Sequence, residues 1–137
     1  MIKIISEHYI KNPNGICIIL DNGLQISYKM LFESSKQIAR GLLNFGLSNK
    51  SAIGIFCNES YDTIKIILGC WLINATPVLL HPFKNISDIN KQIRSSNLDC
   101  LIIDKNFNSQ SKIIVPVYFL NSFDLGFFKH SLVYHKK

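Results

Sequence analysis

The stretch SYDTIKIILGCWLINATPVLLHPF, residues 60–83, holds fifteen consecutive residues without a formal charge, between Lys65 and His81. A membrane span, one long buried helix, or two elements meeting at a corner would each give such a run. Its punctuation decides between them. Ser60 is placed to cap a helix, and Asp62 lies in the first turn, where the unpaired N–H groups favour a negative charge. Ile64 to Ile73 is apolar nearly all round, as in a helix buried on most sides. Asn74 tolerates a helix end. Pro77 cannot continue a helix, because it lacks an amide hydrogen and clashes with the preceding turn, and it biases Thr76 toward extended backbone. The run therefore predicts a helix ending near Asn74 and a strand over TPVLL, where a proline at the strand's beginning is allowed. Neither half reaches the roughly 20 apolar residues that a bilayer crossing needs.

Working outward, the same alternation continues on both sides. ICIILDNGLQIS predicts a hairpin with strands at 16–20 and 24–27, because Asn22-Gly23 supplies the positive φ angles of a tight turn. Ser27 then caps a helix with Tyr28, Leu31, Phe32, Ile38, Ala39, Leu42 and Leu43 on its apolar side, and Gly46 stands where a C-terminal cap belongs. AIGIFC at 52–57 reads as a buried strand. After TPVLL, Asn85 or Ser87 caps a helix carrying Ile86, Ile89 and Ile93, which ends near Ser96. CLIID at 100–104 and IIVPVYFL at 113–120 read as strands flanking the polar loop NFNSQSK. Residues 121–137 read as an irregular tail. Apolar strands joined by helices specify a parallel sheet covered on its faces. The expected fold class is α/β: an N-terminal β-hairpin followed by a mostly parallel sheet with helices on its faces. It forms a single domain over residues 1–137.

Composition fits that fold. The 137 residues are 47% hydrophobic and 18% charged, enough for a domain burying roughly 68% of its unfolded surface. Thin surface charge also implies apolar surface for something else to cover. The net charge of +6 is scattered, with only Lys136-Lys137 adjacent, so it forms no face or run for nucleic acid. Cys17, Cys57, Cys70 and Cys100 are spaced 40, 13 and 30 residues apart. That spacing suits neither a zinc site nor a disulfide framework, and the thiols read as reduced and cytoplasmic. His130 and His135 are five residues apart rather than four, off the helical spacing of paired ligands. MIKIISEHYIKNPNG has no long apolar core or small-residue cleavage site of a signal peptide.

Open parallel sheets bind ligands beyond the carboxyl ends of their strands. The candidates there are Asn58 and Glu59, His81 and Pro82, Asp104 and Lys105, and Asn121 and Ser122. Glu59 and His81 have the chemistry of an acid–base pair, and equally of two polar strand ends facing water. The seven glycines make no G-x-G-x-x-G, no phosphate-binding G-x-x-x-x-G-K-[ST] and no G-x-S-x-G elbow. Gly41 and Gly46 have the right separation, but Leu47 and Ser48 follow, and a helix occupies the loop's place. Spacing alone assigns no catalytic, cofactor-binding or metal-binding residue.

The order of residues adds what spacing lacks. Ser27, Tyr28 and Leu31 at a helix start, and Ala39, Leu42 and Gly46 at its end, are followed by Ile53 and Ile55 in a strand. Ser60 at the next helix, then Ala75, Leu80 and Pro82, then Ser96, complete the series. In that order, over about residues 10–104, the chain resembles the N-terminal part of the adenylate-forming superfamily: the AMP-binding acyl- and aryl-CoA synthetases, peptide-synthetase adenylation domains and luciferases. It departs from the pattern at Lys50-Ser51 (usually Gly-Asp), Glu59 (usually Asn), Asn74 (usually Gly) and Leu79 (usually Pro). The resemblance implies a truncated domain, the N-terminal structural segment of an ATP-dependent ligase. The complete enzyme would use ATP and magnesium to turn a small carboxylic acid into an acyl-adenylate and pass it to CoA or a carrier protein. In that family the phosphate loop, acyl pocket and hinged C-terminal domain come later in the chain. The segment is therefore expected to bind no cofactor and to be inactive alone, with a second chain as the partner that carries the rest. The alternative is a free-standing, non-catalytic α/β interaction module.

Overall fold

The computed structural model describes residues 2–81, 85–104, 112–120 and 132–133. The chain opens with a helix, α1 (Ile2–Lys11), then the hairpin β1 (Ile16–Ile19) and β2 (Gln25–Ser27). There follow α2 (Tyr28–Asn44), β3 (Ala52–Phe56), α3 (Ser60–Leu72), β4 (Thr76–Leu79), α4 (Ile86–Ser95), β5 (Cys100–Ile103), β6 (Val117–Phe119) and β7 (Leu132–Val133). The main sheet runs β4-β3-β5-β6-β7, parallel from β4 to β6 with β7 antiparallel. This is the α/β class that the sequence predicts.

Within stretch 60–83 the described residues form a helix and a strand. Asn74 takes a left-handed φ of 61°. Its N–H donates to Trp71 O at 3.0 Å, and that of Ala75 to Cys70 O at 2.9 Å. These are the two bonds of a Schellman cap, with asparagine in the seat usually held by glycine. The same pair closes α2, where Gly46 (φ 87°) and Leu47 donate to Leu43 and Leu42, and α4, where Asn97 (φ 50°) and Leu98 donate to Arg94 and Ile93. Pro77 sits in β4, an edge strand. Thr76 and Leu80 donate to Ser51 and Ile55 of the β3 side at 3.0 and 3.1 Å, so the alternate position, Pro77, turns its missing donor away from the ladder.

The all-round apolarity of α3 follows from its three neighbours. Ile66 and Cys70 pack on the sheet with Ile38 and Leu42 of α2. Leu68, Tyr61, Ile64 and Trp71 pack against Ile26 and Leu31, with Ile2 and Ile5 of α1 alongside. At Gly69 the helices nearly touch: a Cβ there would lie 2.6 Å from Ile38 Cγ2 and 3.2 Å from Ser35 O. On the other sheet face, Ile89 and Ile93 of α4 meet Leu101, Ile103 and Val117. Strand β5 is buried at every residue, which is why it shows no polar alternation.

Several local readings need correction. Helix α1 is not legible in the sequence reading. The hairpin loop has three residues, Asp21, Asn22 and Gly23: only Gly23 is left-handed, and its N–H closes on Leu20 O at 2.8 Å. Asn22 instead accepts the Leu24 N–H at 2.9 Å with its side chain. The cap of α3 is Glu59, one residue before Ser60, while α4 is capped by Asn85 accepting from Asp88 N at 3.0 Å. Leu43 is exposed, and Ser35 takes a buried place on α2 instead, its hydroxyl donating to Leu31 O at 2.8 Å. The strand expected at 113–120 spans only 117–119, because the Asn90 amide holds the preceding segment apart. Asn90 donates to Lys112 O at 3.0 Å and accepts from Ile114 N at 3.1 Å. Of the loop 106–112 only Lys112 is among the described residues, and of the tail 121–137 only 132–133.

Candidate functional site at the carboxyl edge of the sheet

From β3 the chain steps to β4 on one side and then to β5 on the other. The carboxyl ends of β3 and β5 therefore border the point where strand order reverses, the usual ligand crevice of an open parallel sheet. Here a hydrogen bond of the protein's own spans the two strand ends. Asp104, just past β5, accepts the backbone N–H of Asn58, just past β3, with Oδ2 at 2.8 Å. At the opposite end of the same pair, Asp99 Oδ2 accepts from Ala52 N at 2.8 Å, and its own N–H donates to Ala52 O at 2.8 Å. The two aspartates fix the register of β3 on β5.

His81, past β4, is held through its backbone. Its N–H donates to Gln92 Oε1 at 2.9 Å and its carbonyl accepts from Gln92 Nε2 at 3.2 Å. Glu59 lies on another side, in a cleft shared with the hairpin. Among the described residues no hydrogen bond or ion pair joins Glu59 to His81, so the structure does not assemble an acid–base pair from them. Pro82, Lys105, Asn121 and Ser122 lie outside the described residues. Sequence reasoning passed over Gln92 and Asn90. Asn90 was open to detection, since it lies four residues after Ile86 and three before Ile93, the helical spacing of one face.

The remaining reactive groups near this edge are quenched. Burial, reinforced by the carboxylates of Asp104 and Asp62, pushes the Cys57 thiol up to about 12, so it is not a thiolate at neutral pH. At the opposite end of the sheet, burial pushes Cys70 up to about 12 and raises Cys100 further, with Cys70 and Asp99 adding to the latter. Lys65 is buried, 3.2 Å from Asp62 Oδ1 and 4.7 Å from the centre of the Tyr61 ring. Among the described residues no group of three or more His, Cys, Asp or Glu side chains is placed to hold a metal. No described helix is long and apolar enough to cross a membrane. Among the described residues the edge is tied by bonds between its strand ends and presents no activated nucleophile.

Comparison with known proteins is consistent with that architecture. The model of the AMP-binding enzyme family matches residues 6–122. A 2-succinylbenzoate–CoA ligase of Oceanobacillus iheyensis is 27% identical over 103 residues, covering 75% of this chain and 22% of that protein. The o-succinylbenzoate CoA synthetase of Bacillus subtilis superposes with a TM-score of 0.77 at 18% identity, over 87% of this chain and 31% of the other. The N-terminal subdomain of Klebsiella oxytoca NpsA gives 0.77 at 19% identity, over 96% and 33%. The chain thus spans about a fifth of the curated relative and a third of these solved chains. It belongs to the AMP-binding enzyme family and carries an N-terminal segment of the adenylate-forming ligase fold.

Proposed function

We propose that this chain is a scaffold wall of an ATP-dependent, adenylate-forming ligase whose catalytic parts reside on a second polypeptide. One observation carries the reading: the family match runs through residues 6–122, yet the described carboxyl edge of the sheet is occupied by its own structural bonds. The complete ligase would join a carboxylate to the adenylyl group of ATP and pass the acyl group to a thiol. The Bacillus subtilis relative was solved with the acyl-adenylate OSB-AMP and, separately, with ATP and a magnesium ion. The Klebsiella relative was solved with 3-hydroxybenzoyl-AMSN.

The described residues do not fit the nucleotide. A triphosphate cradle needs unpaired backbone N–H groups. At the strand-order reversal the N–H of Asn58 is given to Asp104, and Glu59 sets a carboxylate at the start of α3, where a phosphate would be repelled. No step of the reaction is assigned to this chain. Its apolar surface supports a covering partner, and its protonated thiols suit a cytoplasmic setting. The test is pyrophosphate exchange with the isolated chain across a panel of small carboxylic acids. No exchange is expected, and exchange with any acid would overturn the scaffold reading.

A further inference from the structure

Between the hairpin tip and the first turn of α3 lies a cleft of about 330 Å3. Ile18, Ile19, Leu20 and Ile64 form its apolar wall and Asp21 and Glu59 its polar one. That volume is at the low end of the roughly 300–1,000 Å3 of ligand pockets, enough for one or two side chains. Ile19, in the apolar wall, is 67% exposed. The chain carries a net charge of +6, yet no lysine or arginine lines this cleft. Among the described residues neither carboxylate has an ion-pair partner. Helix α3 contributes about half a positive charge at its start, against two full negative charges. Glu59 occupies the N-cap position but makes no capping bond, so its side chain does not serve the helix as Asn, Asp or Ser would.

We propose that the cleft docks a polypeptide segment in which an arginine or lysine stands beside an aliphatic residue. The cation sits between Asp21 and Glu59, and the aliphatic side chain lies on Ile19 and Ile64. Complementarity of charge to an otherwise basic chain, together with the exposed aliphatic wall, selects this occupant over an anion or a nucleotide. The inference stands independently of the ligase reading.

The full 15N-labelled chain titrated with acetyl-Leu-Arg-Leu-amide tests it. Saturable shifts are expected at the amides of residues 19–22 and 59–61, with a Kd on the order of 1 mM. Asp21→Asn with Glu59→Gln, both exposed and isosteric, should weaken binding at least fivefold, and Ile19→Ser should weaken it from the other wall. Acetyl-Leu-Glu-Leu-amide should not bind. Absence of shifts at these amides up to 10 mM peptide, equal affinity for the Glu peptide, or equal affinity of the double variant would overturn the proposal. Ethylguanidinium binding as tightly as the peptide would overturn its polypeptide part.

Discussion

Asp104 accepts the backbone N–H of Asn58 at 2.8 Å, tying the carboxyl end of β5 to that of β3 across 46 positions of sequence. A charged acceptor of this kind contributes about 1.5–3 kcal/mol when shielded and less where water competes, and this pair is exposed. Asp104→Ala is therefore expected to lower stability by about 1 kcal/mol, and Asp104→Asn, which keeps an acceptor, by less. Urea midpoints of the two variants give the comparison. Equal midpoints for Asp104→Ala and the parent would show that the bond contributes nothing to holding β3 on β5.

Glu59 and Asn74 bracket helix α3, and both stand where the family pattern has another residue. Glu59 makes no capping bond, so Glu59→Asn should raise stability by about 0.5–1 kcal/mol. Asn74 is left-handed at φ 61°. Asn74→Gly should be neutral or mildly stabilising, and Asn74→Ala destabilising by about 1 kcal/mol. Thermal melts of the three variants check the order. A stabilised Asn74→Ala protein would contradict the left-handed cap.

Gly69 lies where α2 and α3 cross, with no room for a Cβ beside Ile38 and Ser35. Alanine would gain about 1 kcal/mol of helix propensity but overpack a site whose relief costs about 1–3 kcal/mol. A net loss is expected for Gly69→Ala, read as a lower midpoint in urea. A gain would mean that the two helices separate freely.

Half-buried Cys57 and buried Cys70 set a stability limit at high pH. Cys57 and Cys70 are pushed up to about 12 in the fold, while an unfolded thiol keeps its ordinary value of 9.0. Below that value both states hold the proton and the contribution is constant. Between about 9 and 12 the unfolded chain releases protons that the folded chain retains, so stability falls as pH rises. The urea midpoint should drop between pH 8 and pH 10.5, with a shallower drop in a Cys57→Ala, Cys70→Ala variant. Alkylation of both thiols by iodoacetamide at pH 8 should be at least tenfold slower in the folded than in the denatured chain.

The legible parts of the fold are those governed by local rules. Pro77 and Asn74 split one apolar run, Ser27 and Gly46 bound α2, and the bare apolarity of CLIID marks a strand covered on both faces. The failures arise where tertiary contacts override local pattern. Helix α1 has no fully buried residue and holds its place by His8 stacked on Tyr28 at 5.0 Å and Tyr9 on Phe32 at 4.9 Å, partners that a linear reading does not join. IIVPVYFL looks like one strand, yet the Asn90 amide on α4 captures its first half. At the candidate site, the residue positions after the strands were readable but their use was not. Whether Asp104 faces a ligand or the Asn58 amide depends on which strands are neighbours, and the order β4-β3-β5 is a property of the sheet, not of any one segment.

A ligase completed by another polypeptide, with this chain as one wall, is the proposal that remains to be tested. The most direct measurement is to tag the chain in its own organism, purify it gently and determine the masses of what accompanies it, then assay the material for pyrophosphate exchange. A stoichiometric second chain bearing a Ser/Thr/Gly-rich phosphate loop is expected, with exchange by the complex that the separated chain lacks. A chain that purifies alone, folds cooperatively and catalyses no exchange would overturn the split-ligase proposal and leave a free-standing interaction module in its place.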